Sequence, residues 1–94
     1  MATFLMFGKY SAKSLKGANA ERTKEALDAI KQFKGRVEAM YATLGCNDLV
    51  MVTEFPDTAE AMKASIALMK QTGIAFTTSP AVTVDVFDKL LADV

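Results

Sequence analysis

The hydrophobic and polar positions along the chain predict a β-α-β-β-α-β order followed by one more helix. Short apolar runs bounded by turn residues predict strands at residues 3–9, 36–44, 48–55 and 74–79. Apolar positions repeated every three or four residues predict helices at 20–34 and 58–72, and Asp85 is the expected cap of a short final helix. Residues 10–19, rich in polar residues and glycine, are predicted to form a loop.

The ends and apolar stripes of the two long helices also follow from the sequence. Gly35 and Gly73 are expected to end them in the left-handed conformation. Asp57 is expected to cap the second helix, with Glu60 reaching back to form a capping box. The inner stripes are predicted at Ala20, Thr23, Leu27, Ile30 and Phe33 in the first helix, and at Met62, Ile66 and Met69 in the second.

This order of elements suits an α+β fold, the ferredoxin-like βαββαβ sandwich with a short C-terminal helix. The predicted strand order is 4-1-3-2, with both long helices on one face of the sheet and right-handed crossovers. Pro80 restricts the fourth strand to an edge position or a bulge. A single domain over residues 1–94 is expected.

The predicted strands are apolar on both sides, which an antiparallel sheet with one wet face would not need. In the first strand Leu5 and Phe7 point one way, and Phe4 and Met6 the other. Two helices cover only one face of four strands. We therefore expect two copies to pack sheet against sheet as a homodimer, a dimeric α/β barrel. The alternative is that the final helix folds back over the second face.

The composition argues against several classes of partner and of chemical site. Eleven basic and eleven acidic residues give a net charge of zero, which argues against nucleic acid or an anionic membrane as the main partner. The absence of histidine removes the commonest metal ligand and the usual base for a nucleophile. No cofactor or metal is therefore predicted. No run approaches the roughly 20 apolar residues of a membrane span, so a cytoplasmic location is expected.

The stretch from Gly45 through Asp48-Leu-Val-Met-Val to Glu54-Phe-Pro-Asp57 resembles the GYD-domain family of the dimeric α/β-barrel superfamily. The opening Phe4-Leu-Met-Phe-Gly-Lys-Tyr10 fits the same family, and the resemblance covers nearly the whole chain. It implies the fold and little about activity. Asn47 stands where the motif has tyrosine, which implies a smaller and more polar wall. The turn also resembles the ligand-sensing domain of leucine-responsive-type regulators, whose helix-turn-helix has no counterpart here.

Five residues are candidates for contacting a ligand: Tyr10, Tyr41, Asn47, Asp48 and Glu54. An amide beside a carboxylate can orient a polar ligand, phenolic hydroxyls can reach into a cleft, and an acid in an apolar strand can accept a proton. Each also has a structural interpretation as a turn residue, a packed ring or an exposed strand end. Lys9, Lys13 and Lys16 are either solvated or an anion site, and Arg22 is expected in a surface ion pair.

No catalytic residue is assigned. The sequence favours a non-enzymatic, homo-oligomeric module that holds a small apolar or amphipathic molecule between sheet and helices. One alternative is a cofactor-free enzyme, a monooxygenase or isomerase acting on an aromatic or lactone-like substrate. The other is a ligand-sensing regulatory domain.

Overall fold

The computed structural model describes residues 1–94 and contains one antiparallel sheet of four strands. The strands are ordered β2-β3-β1-β4, which confirms the predicted order and the ferredoxin-like fold. None of the helices combines the length and apolar character needed to cross a bilayer. The elements are β1 (Ala2–Lys9), α1 (Ala12–Lys16), α2 (Ala20–Gln32), β2 (Arg36–Ala42), β3 (Leu49–Phe55), α3 (Thr58–Thr72), β4 (Ala75–Ala81) and α4 (Val84–Ala92).

The core lies between one face of the sheet, called the inner face, and the helices α2 and α3. Alternate residues of β1 and β3 reach this face, because successive side chains of a strand point to opposite sides. The rings of Phe4 and Phe55 meet edge to face with centroids 6.0 Å apart. The buried cluster comprises Phe4, Met6, Ile30, Met51, Phe55, Ala61, Ala64 and Leu68.

The opposite face of the sheet, called the outer face, carries two apolar cross-strand rows. They follow from the register of the strands: one is Ala39–Val52–Leu5–Ser79 and the other Tyr41–Val50–Phe7–Thr77. Leu5, Phe7, Val50 and Val52 are only partly buried, and they shield one another within the open sheet. The doubly apolar sheet predicted from the sequence is therefore present, with helices on its inner face alone.

The apolar stripe predicted for the second long helix is wrong. Met62, Ile66 and Met69 are 46–58% exposed, whereas Ala61, Ala64 and Leu68 are buried. Small side chains allow the helix axis to approach the sheet closely, so the face with alanines packs inward even though the methionine face is equally hydrophobic. The helix bounds 58–72, the Asp57 cap and the left-handed Gly73 (φ 75°) are confirmed. Glu60 contacts Lys63 at 3.3 Å, and a capping box is not formed.

The first long helix ends earlier than predicted, and its left-handed residue is Lys34 (φ 65°) rather than Gly35. Gly35 is needed for another reason: a Cβ there would overlap the ring of Phe55. Ala20 and Thr23 are exposed, and the helix packs through Ala26, Ala29, Ile30 and Phe33 instead.

The predicted loop at residues 10–19 contains a one-turn helix, α1. Ser11 and Ser14 form its capping box, in which each side chain accepts a hydrogen bond from the other residue's backbone amide. The sequence pattern missed it because five residues are too few to show a helical period. Small differences elsewhere are that β2 ends at Ala42, β3 begins at Leu49 and β4 runs on through Pro80 at the edge of the sheet.

The final helix, α4, is capped by Thr83 rather than Asp85. None of its residues is buried, and five large apolar side chains are 41–72% exposed: Val84, Val86, Phe87, Leu90 and Leu91. It does not fold back over the outer face. The radius of gyration is 14.1 Å, compared with about 12.4 Å for a compact chain of this length. A helix that projects from the body explains the difference.

Candidate functional site

Asp48 joins three segments of the chain at the end of the sheet where β1 finishes. Its carboxylate accepts a hydrogen bond from the backbone amide of Tyr10 at 2.9 Å. Its own amide donates to the carbonyl of Gly8, and its carbonyl accepts from the amide of Thr43, both at 2.9 Å. Asp48 thus fixes the β2–β3 turn to the chain that leaves β1 for α1.

Asn47 contributes through its backbone, because its carbonyl accepts a hydrogen bond from the Thr43 hydroxyl at 2.7 Å. Gly45, two residues earlier, has φ of 114°, a conformation that side-chain-bearing residues rarely adopt. The geometry therefore supports the structural interpretation of this turn, with a carboxylate that orders the backbone rather than facing a cavity.

The ring of Tyr10 lies beside the cationic side chain of Arg22. The guanidinium of Arg22, at the start of α2, lies 5.7 Å from the centroid of the Tyr10 ring. The same guanidinium also lies close to Gly17, where an added Cβ would come within 2.9 Å of Nη1. Arg22 is therefore held by a ring and a glycine, and the expected surface ion pair is not formed.

Next to this arginine lies a polar cleft of about 420 Å³, here called the cationic cleft. It is bounded by α1, the start of α2 and the C-terminal end of α3, and no hydrophobic residue lines it. Its residues include Lys13, Arg22, Lys70, Ser11, Ser14 and Thr72. Of the three lysines considered from the sequence, only Lys13 lines it. Arg22 and Lys70 join it through tertiary structure, because α1, the start of α2 and the C-terminal end of α3 meet there.

Glu54 lies at the opposite end of β3, whereas Tyr41 lies near this end but on the outer face of the sheet. Tyr41 is 60% exposed on the outer face, opposite Val50. Glu54 is six residues beyond Asp48 in the chain, which along an extended strand is about 20 Å. The structure therefore brings together Tyr10, Asn47 and Asp48, and it does not unite all five candidates in one site.

Glu54 has a partner that explains it. Nε and Nη2 of Arg36 lie 2.7 and 2.6 Å from a carboxylate oxygen of Glu54, and Glu38 lies 2.6 Å from the same guanidinium. A bulge between Val37 and Ala39 lets Glu38 join this pair. The hydrogen bond that Arg36 donates to Glu54, together with the negative charges of Glu38 and Glu54, raises the pKa of Arg36. The carboxylate of Glu54 is therefore part of an ion pair at the edge of the outer face.

A second, more apolar cleft lies between α3 and the edge strand β4. It measures about 240 Å³, and the hydroxyls of Ser65 and Thr78 meet in it at 2.6 Å. Its apolar lining residues are Phe4, Ala61, Met62, Ile66, Phe76 and Pro80. None of the five candidate residues contacts it. The sequence did predict a cleft between sheet and helices. Because the buried stripe of α3 was predicted wrongly, the α3 residues that line this cleft were expected in the core.

The turn around Gly45 and Asp48 and the strands that flank it agree with a known family over most of the chain. The model of the GYD domain matches residues 4–91. The chain belongs to the GYD domain family. In this GYD domain the motif's aspartate, Asp48, has a structural role, because its carboxylate accepts a hydrogen bond from the backbone amide of Tyr10. The search of curated proteins found no match.

Among solved structures, the GYD domain is similar in fold to the Leucine response regulatory protein (LrpA) of Mycobacterium tuberculosis. The TM-score is 0.58 at 8% sequence identity. The similarity covers 87% of this chain and 51% of that one, so the GYD domain spans about half the length of this regulator. At this identity the likeness shows the fold alone.

Proposed function

We propose that this GYD domain is a non-enzymatic module that self-associates as a homodimer and holds a small apolar or amphipathic molecule. The observation that carries the proposal is α4, an amphipathic helix with no buried residue. Nine residues are too few for a helix that is stable in water on its own. The helix therefore requires a packing partner.

The outer face of a second copy is the partner that we propose for α4 and for the outer face itself. Leu5, Phe7, Val50 and Val52 form an apolar centre, and the Arg36–Glu54 pair lies at its polar rim. This arrangement is typical of protein interfaces. The formal net charge of zero also means that two copies do not repel each other strongly.

The energies support an interface that includes α4. The four side chains of the outer face are already partly buried. Covering the remainder contributes at most about 1 kcal/mol each, or about 8 kcal/mol for a dimer, against an association cost of about 4–15 kcal/mol. The outer face alone is therefore marginal. The more exposed side chains of α4, such as Phe87 and Leu90, supply the additional apolar area.

Sedimentation equilibrium tests the dimer. We expect the unmodified protein to be dimeric at micromolar concentration, and Val50→Lys and Phe87→Lys to be monomeric. Their far-UV circular dichroism should lose no more than the helical signal of the nine-residue α4. Gln32→Lys adds the same charge on the exposed side of α2 and is expected to stay dimeric. A monomeric unmodified protein, or two lysine variants that remain dimers, would contradict the proposal.

The cleft between α3 and β4 is the proposed site for the small molecule. Its apolar walls and single hydroxyl pair suit an alkyl or aromatic body with one polar group. Native mass spectrometry with medium-chain alcohols and fatty acids tests this. Met62→Lys at the mouth is expected to abolish retention, and Met69→Lys on the same helix, outside the cleft, is expected to keep it. Equal retention by both variants would rule the cleft out.

A ligand-sensing regulatory role is the second candidate, and one observation favours it. Phe76, Thr78 and Pro80 of β4 line the apolar cleft, and α4 begins after a link of two residues beyond the same strand. A molecule in the cleft therefore contacts the strand that carries the proposed interface helix. Sedimentation with and without a retained alcohol distinguishes the two roles, because sensing requires a ligand-dependent change in the dimer dissociation constant.

A further inference from the structure

We propose that the cationic cleft binds the phosphoryl group of a small polar molecule. Lys13, Arg22 and Lys70 reach it from three different helices. No carboxylate lines the cleft, and none of the three cations takes part in a salt bridge. Three unpaired positive charges around one cavity repel each other. An anion placed among them is attracted to all three, and this attraction offsets their mutual repulsion.

The arginine is held in position before any ligand arrives. Its guanidinium lies 5.7 Å from the centroid of the Tyr10 ring, and so close to Gly17 that an added Cβ there would come within 2.9 Å of Nη1. Asp48 in turn fixes the backbone of Tyr10 through the hydrogen bond of 2.9 Å. A cation that is already oriented loses little side-chain entropy when it binds an anion.

The hydroxyl groups that line the cleft already have hydrogen-bond partners within the protein, so the charged contacts to a ligand come from the cations. Ser11 and Ser14 hydrogen-bond each other and the capped turn. The hydroxyl of Thr72 donates to the carbonyl of Leu68 and accepts from the amide of Ile74. Each hydroxyl proton is therefore already donated within the protein. The side-chain donors that remain free are those of the lysines, the arginine and the amide of Gln71, and only the first three carry charge.

The arrangement suits a phosphoryl group better than a carboxylate. A phosphoryl group carries up to two negative charges on tetrahedrally arranged oxygens, which donors can approach from several directions. Cations from three helices provide such directions, whereas a planar carboxylate is matched by a single fork. The cleft is larger than a phosphate ion, and its lining holds no hydrophobic residue. The remainder of the ligand is therefore polar.

Two-dimensional amide NMR of the full chain tests this site. Inorganic phosphate and ribose 5-phosphate are the probes, with ribose, citrate and sodium chloride as comparisons at matched ionic strength. We expect saturable shifts confined to residues 11–17, 22 and 70–73, and tighter binding of the sugar phosphate. Equal shifts with chloride, shifts spread over the surface, or binding of citrate in preference to both phosphates would overturn the proposal.

Variants separate a built site from general attraction to positive charge. Arg22→Gln and Lys70→Gln are each expected to weaken phosphate binding at least about tenfold, the size of one charge-assisted contact. Lys24→Gln removes an exposed charge of α2 outside the cleft and is expected to have no effect. Gly17→Ala keeps every charge but displaces Arg22, and it should weaken binding as well. Unchanged affinity in both Arg22→Gln and Gly17→Ala would refute the site.

Discussion

The two faces of the sheet are formed by the same strands, but one face is buried and the other is partly exposed. On β1, Phe4 and Met6 are at most 2% exposed beneath the helices, while Leu5 and Phe7 between them remain partly open. The residue types are similar, so hydrophobicity does not separate the faces. The difference is the cover: α2 and α3 complete the inner face within one copy, and α4 leaves the outer face uncovered. The inner face is a core, and the outer face is a surface suited to a partner.

Replacing one phenylalanine on each face with alanine is expected to give the largest difference between the two faces in the free energy of unfolding. Phe4→Ala removes a buried ring that contacts Phe55, and it is expected to lower the free energy of unfolding by about 3–5 kcal/mol. Phe7→Ala removes a partly buried ring, and its cost should be less than half as large.

Protein concentration distinguishes the two variants further. Urea unfolding at about 1 µM and about 100 µM should show the same loss for Phe4→Ala, because that ring packs within one copy. If the outer face is a dimer interface, the loss for Phe7→Ala should be larger at the higher concentration. Equal losses at both concentrations for Phe7→Ala would indicate that this face has no partner.

Gly35→Ala sharpens the comparison by testing how closely the inner face is packed at its edge. A Cβ at Gly35 would overlap the ring of Phe55, so the ring or the β2 backbone must move. We expect a loss of about 1–3 kcal/mol in the free energy of unfolding. Lys34→Gly is the matched control, because it places a glycine at the adjacent residue, which has a positive φ. The free energy of unfolding is expected to be unchanged or slightly higher. An equally stable Gly35→Ala variant would show that the ring has room.

Glu54→Gln has the smallest expected effect, because it changes only the polar rim of the outer face. The partner Arg36 is 64% exposed, and ion pairs in water are strongly screened. The midpoint of urea unfolding should hardly move, and any difference should vanish at high salt. A large, salt-independent loss would mean that the rim is buried in the assembled protein.

Particular elements show why some features were predictable. The Asp57 cap, Gly73 and the bounds of α3 follow from local chemistry, which acts over a few residues. The inner stripe of α3 was not predictable by hydrophobicity, because Met62, Ile66 and Met69 have the helical period of a core while the alanines beside them allow closer packing. The strand order was predictable because few connections satisfy the crossover and hairpin rules.

The candidate site divides in the same way. Asn47 and Asp48 lie in the β2–β3 turn and Tyr10 directly follows β1, and the structure does bring them together. Glu54 and Tyr41 were grouped with them only by residue type, and the pleat and length of the strands separate them. The role of Arg22 depends on Tyr10, Gly17 and Lys70, which come from different elements, and nothing in the sequence joins these residues.

By itself, the sequence determined the order of elements, the family and the presence of apolar residues on both sides of the sheet, since these depend on local periodicity, caps and motif residues. The tertiary structure alone decided which face of α3 is buried, that α4 has no cover in its own chain, and that three cations share one cleft. These outcomes depend on how closely segments distant in the chain can approach, and that distance is set by side-chain volume and strand register.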